Sequence, residues 1–130
     1  FLEARPPAEP LLDSLRAAAV ELARPILPDP SYERRRIQLI ATTPSLAARN
    51  LHHTEQWSQM VAAHAAARLG QTPSDSLPRL LGACTVAALR AARERWAATS
   101  TGNYVAEIDR CFELLADLRG ATAPTPGTPR

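Results

Sequence analysis

The sequence predicts an all-α fold, and three observations carry that prediction. The chain of 130 residues is 45% hydrophobic, mostly Ala and Leu, and only 5% aromatic. No stretch alternates polar and apolar residues over several positions, so strands have neither the residues nor the pattern to form. Proline-led starts and glycine stops then divide the chain into five segments of helical periodicity.

Phe1–Arg5 reads as the last turn of a helix that begins upstream, and Pro6-Pro7 stops it. The first full helix is predicted from Pro10 to Arg24, with a stripe of Leu11/Leu12, Leu15, Ala18/Ala19, Leu22 and Ile26. Asp29-Pro30 combines an N-cap with a first-turn proline and opens a second helix to about Thr42. Its predicted inner face holds Tyr32, Leu39 and Ile40, flanked by Ile37 and with Arg36 among them. Arg34 and Arg35 are read as solvated beside Glu33. Thr43-Pro44 repeats the device and starts a long helix to Leu69, with Gly70 closing it. One stripe of that helix carries Leu46, Asn50, His53, Trp57, Met60/Val61 and His64. After the turn-rich 71–76 segment, Asp75 or Ser76 caps a fourth helix, since Pro78 is tolerated only in a first turn. A fifth helix runs from Asn103 to Arg119 and stops at Gly120. Residues 121–130 are expected to be a disordered tail, leaving 6–120 as one domain.

The fourth helix has more apolar surface than a monomer needs. At 100° per residue, Leu77, Leu80, Leu81, Cys84 and Ala88 form one stripe, and Gly82, Val86 and Leu89 lie nearly opposite. The first stripe is assigned to the domain's own core. The second, with Arg93 at its rim, is assigned to a second copy of the chain, as are Val105 and Phe112 of the fifth helix.

Charge and cysteine usage narrow the function classes. Lys and Arg total 15, all Arg, against 13 acidic residues interleaved with them, so the charge leaves no nucleic-acid footprint. Cys84 and Cys111 have no metal or redox spacing. With no apolar run as long as a membrane span and no signal peptide visible, the chain is read as cytoplasmic. His53 and His64 share a face but lie about 16 Å apart along it, too far for one metal ion. No phosphate loop, nucleophile setting or close carboxylate pair appears, so no catalytic residue, metal or cofactor is assigned. Arg36, read as inward, needs an acceptor, and a protein group is favoured over a bound anion. The better ligand signal is polar interruption of an apolar stripe. Candidate pocket residues are Arg36, Leu39, Asn50, His53, Trp57, Met60, His64, Leu81 and Cys84.

The order of these segments resembles the C-terminal effector-binding and dimerisation domain of TetR-family transcriptional regulators, in the subgroup with a mycofactocin-regulator-like C-terminal domain. The run Arg35-Arg36-Ile37-Gln38-Leu39-Ile40-Ala41-Thr42-Thr43-Pro44-Ser45-Leu46-Ala47-Ala48-Arg49 carries the resemblance. It continues through Trp57 and Ala65–Gly70 to Pro78-Arg79-Leu80-Leu81, Ala87–Arg90 and Trp96. The resemblance implies a homodimer whose last two helices, here about 76–98 and 103–119, form a four-helix bundle. It implies a small apolar or amphipathic effector, acyl-CoA-like by analogy within the subgroup. It also implies DNA binding only through an N-terminal helix-turn-helix outside this chain, with residues 1–5 as the stub of the connecting helix. The expected function is ligand sensing for a repressor. A ligand-free helical scaffold module is the alternative.

Overall fold

Three of the five helix starts follow from the cap and proline residues in the sequence. The computed structural model describes residues 2–26 and 28–118. After a 3₁₀ turn at Leu2–Ala4 come α1 (Leu11–Ala23), a 3₁₀ turn at Arg24–Ile26, α2 (Pro30–Thr42), α3 (Pro44–Leu69), α4 (Ser76–Ala98) and α5 (Tyr104–Ala116). Asp29 accepts the Tyr32 amide at 3.0 Å and Pro30 takes the first helical position, where a missing N–H costs nothing. Pro44 takes the first position of α3 likewise, without a capping bond from the Thr43 side chain. Gly70 ends it with φ 65°, a left-handed geometry that a side chain disfavours. Asn103 accepts the Val105 and Ala106 amides at 2.9 and 3.4 Å and so caps α5. Asp75 precedes α4 as expected, but its carboxylate takes the Thr72 amide at 2.8 Å and tightens the turn instead. Regular helix in α5 stops at Ala116. Arg119, Gly120 and the tail 121–130 lie outside the described residues.

The core is a single cluster built from every helix. Leu15, Ala19 and Ala23 of α1, Ile37 of α2, Val61 of α3, Ala88, Ala92 and Trp96 of α4, and Tyr104, Ile108 and Phe112 of α5 are buried together. Trp96 is the largest of them. Its ring lies 5.2 Å from that of Tyr104, its Nε1 donates to the Gly102 carbonyl at 3.3 Å, and the Arg34 guanidinium sits 4.5 Å above it. The short 99–103 turn folds α5 back along α4, and Arg95 pairs with Glu107 at 3.1 Å across the two. Arg16 to Asp109, at 2.7 Å, ties α1 to α5.

Two sequence assignments are corrected by this packing. On α2 the inward arginine is Arg34, whereas Arg36 is exposed and donates to Glu33 at 2.8 Å. Ile37 is buried, and Tyr32 and Leu39, at 54% and 57%, face out. Ile37 fixes the rotation of α2, because it is the one buried residue of that helix. On α4 the inward face is rotated toward the small residues: Ala88 is buried and Leu81 packs against the core as expected, but Gly82, expected at a partner, is buried too. Pro78, Gly82, Thr85, Ala88, Ala92 and Trp96 are buried, while Leu77 and Leu80 are 45% and 59% exposed. The cause is backbone approach. A Cβ on Gly82 would overlap the Ser58 carbonyl oxygen of α3, and the facing residues Ala62, Ala65 and Ala66 are equally small. Dense packing of two backbones favours the small-residue side of a helix over the leucine side.

Candidate functional site

Small residues bring α3 and α4 together, and small residues also leave a void on the α1 side. A cavity of about 660 Å³ opens between α1, α3 and α4 and the Leu2–Ala4 turn. This volume falls within the roughly 300–1,000 Å³ of small-molecule sites. From α1 it takes Leu15, Ala18, Ala19 and Leu22, which recur at helical spacing on one face. From α3 it takes Trp57, Met60, Val61, Ala63, His64 and Ala67, and from α4 Thr85 and Leu89. Leu2 and Glu3 complete the lining at the N-terminal end of the chain. Four alanines, at 18, 19, 63 and 67, stop short of filling the space between helices that the longer side chains hold apart.

Two polar atoms face this apolar lining without a protein partner. Thr85 is only 4% exposed, and its hydroxyl is buried with no hydrogen bond among the described residues. His64 Nε2 is buried and equally unpartnered. Burial pushes the His64 pKa below its ordinary 6.5, the nearby Arg68 charge pushes the same way, and Glu3 opposes both. The ring is therefore neutral at neutral pH and offers one donor or one acceptor. Unsatisfied buried groups of this kind are costly in a closed core and informative beside a cavity.

The cavity wall is also tied to the N-terminal segment. Arg68 lies one turn beyond His64 on α3 and donates to the carbonyls of Pro7, at 3.0 Å, and Glu9. It reaches the Ser14 hydroxyl at 3.2 Å, and Ser14 in turn donates to the Glu9 carboxylate. Arg5 pairs with the same carboxylate, with Nε at 2.9 Å. The hydrogen bonds from Arg5 and Ser14 hold the Glu9 carboxyl below its ordinary range.

Of the pocket residues expected from the sequence, the structure brings Trp57, Met60 and His64 to the cavity. It places the rest elsewhere. Arg36 and Leu39 are exposed on α2, His53 is exposed on α3, and Asn50 is half-buried one turn before Thr54, whose hydroxyl bonds the Asn50 carbonyl at 2.7 Å. Leu81 and Cys84 are half-buried on α4 and outside the lining, with Leu81 packed against the core. The residues expected at a partner subunit divide similarly. Gly82 and Phe112 are buried within the protomer, and Leu89 lines the cavity. Val86, Arg93 and Val105 are half-buried. The α1 residues and Thr85 join the lining without having been expected from the sequence. Thr85 had a visible signal, a lone hydroxyl on the Gly82–Leu89 side of α4.

Among the described residues, no three His, Cys, Asp or Glu side chains come together as a metal site, and no helix is long and apolar enough to cross a membrane. A search of curated proteins finds no match to this chain. A family model does match: the MftR C-terminal domain, over residues 9–120.

Proposed function

We infer that this chain, which belongs to the family of MftR C-terminal domains of TetR-type transcriptional regulators, is the effector-sensing and dimerising part of such a regulator. The observation that carries the reading is the cavity's position. Its wall includes Leu2 and Glu3 at one end and, one turn beyond His64, the Arg68 clamp that holds Pro7 and Glu9. A ligand there touches the segment that, in this family, leads to the DNA-reading helices. Binding a small apolar or amphipathic molecule shifts that segment and releases the DNA, as in a repressor. The ligand must bind the released state better, by a coupling of about 1–3 kcal/mol. Such a chain works without a cofactor, in the cytoplasm.

Titration with Nile red, an uncharged dye that brightens in apolar surroundings, tests the site. Trp57 lies in the lining and gives a second signal by quenching. Ala67→Phe should abolish binding and leave thermal stability unchanged, because Ala67 is exposed at the cavity and its side chain has room to grow inward. Equal dye binding by wild type and variant would point to another site, and no binding by either favours a ligand-free scaffold.

The dimer face proposed here is the outer leucine side of α4 with the adjoining flank of α5. Leu77, Leu80, Ala87 and Ala91 are exposed on α4, and Leu114 on α5. The Arg95–Glu107 pair brings these two flanks together, so they form one surface. Leaving leucines and alanines in contiguous exposure is unusual for a monomer. Leu80→Glu is expected to convert a dimer to a folded monomer by sedimentation, since Leu80 contributes nothing to the core. A dimer that survives both Leu80→Glu and Ala87→Glu would place the interface elsewhere.

A further inference from the structure

We propose that the part of the ligand held in the cavity is an uncharged, largely hydrocarbon body carrying a neutral hydroxyl or carbonyl group, and that the Thr85 hydroxyl is the protein group that recognises it. This rests on the sensing reading above and adds the chemical class of the effector.

Charge argues first. No arginine is among the described residues that line the cavity, and the one charged side chain there is the Glu3 carboxylate. Arg68, one turn beyond His64, is committed to two backbone carbonyls and Ser14. A carboxylate or phosphate drawn into this space would lose its hydration, gain no cation and meet a like charge. The ligand portion inside the cavity is therefore neutral.

Polarity argues second. A pure hydrocarbon would leave the Thr85 hydroxyl, in a residue 4% exposed, with no partner, and would leave His64 Nε2 in the same state. A hydroxyl both donates and accepts, so Thr85 satisfies an alcohol or a carbonyl equally well. The neutral His64 ring is a second partner for the same group. The rest of the lining, from Leu15 and Leu22 to Trp57 and Met60, suits an aliphatic body.

The test is displacement of Nile red from the whole chain by 1-decanol, methyl decanoate and decanoate, which share one chain length and differ in head group. Decanol and methyl decanoate are expected to displace the dye at pH 8 at concentrations at least about tenfold below decanoate, because the ionised head lacks a partner. Thr85→Val keeps the shape of the side chain and removes the hydroxyl. It should weaken decanol about three- to tenfold, the dye's own affinity for each variant being measured first and used to convert displacement to affinity. Thr85→Ser restores the hydroxyl and should bind decanol nearly as wild type does. Urea midpoints confirm that each variant is folded.

Decanol affinity that is unchanged in Thr85→Val would overturn the proposal, since the hydroxyl would then be turned to its own helix carbonyls. Decanoate competing as well as decanol would also overturn it. In both cases dye binding persists and the sensing reading stands. Failure of the dye to bind wild type removes the sensing reading, and this inference falls with it.

Discussion

Trp96→Ala is expected to lower the folding stability by about 3–5 kcal/mol, the usual cost of emptying a buried aromatic site. Trp96 is 2% exposed and belongs to the cluster in which all five helices meet. Its removal leaves a void that the surrounding helices cannot close, because Ala88 and Ala92 on the same face are too small to fill it. Two further losses come with it. Tyr104 loses its ring neighbour at 5.2 Å, and the inward Arg34 guanidinium loses the aromatic face beneath it. Arg34 Nε is already buried without a hydrogen bond among the described residues, so its charge would be held by less. Against a total of roughly 5–15 kcal/mol for a domain, the variant should unfold at a much lower urea concentration. Trp57→Ala is the control. That ring is 39% exposed, so truncation should cost far less stability while altering the cavity signal.

Gly82→Ala is expected to destabilise the domain by about 1–3 kcal/mol, the range for overpacking a filled contact. Helix propensity alone says the opposite, since replacing an interior glycine with alanine gains roughly 1 kcal/mol. Contact geometry decides the sign. The added Cβ would overlap the backbone oxygen of Ser58, which belongs to α3 and cannot swing aside like a side chain. α3 and α4 must separate, and their separation loosens Ala62, Ala65 and Ala66 as well. Calorimetry on the variant gives the sign directly. A higher Tm than wild type would mean that the two helices do not approach closely at this point.

How much was legible in the sequence depended on whether local chemistry or packing decided the outcome. Helix number and most boundaries were legible, because Asp29-Pro30, Thr43-Pro44, Gly70 and Asn103 act on their own neighbours. Rotation of the helices was not. α4 offers two apolar faces, and periodicity cannot say which one meets α3. The answer lay in side-chain size, with Gly82 against the Ser58 backbone of α3 and Leu77 and Leu80 turned away. In α2 a run of three arginines hid the same problem. Ile37 set the rotation and carried Arg34, not Arg36, over Trp96. The cavity was half legible. Trp57, Met60 and His64 stand out as unlike neighbours on one stripe, whereas the α1 wall looks like ordinary core. A void formed by alanines leaves no mark in a pattern of apolar residues. Only the neighbours' positions reveal it.

Occupancy of the cavity should be felt in the N-terminal segment, and amide hydrogen exchange reads that segment residue by residue. The Arg5 and Glu9 amides bond to the Leu2 and Pro6 carbonyls, within the segment that Arg68 clamps. With saturating Nile red, these two amides should exchange at a changed rate in wild type and at an unchanged rate in Ala67→Phe. Changes confined to α1, α3 and α4, with Arg5 and Glu9 untouched, would show a cavity that binds without signalling.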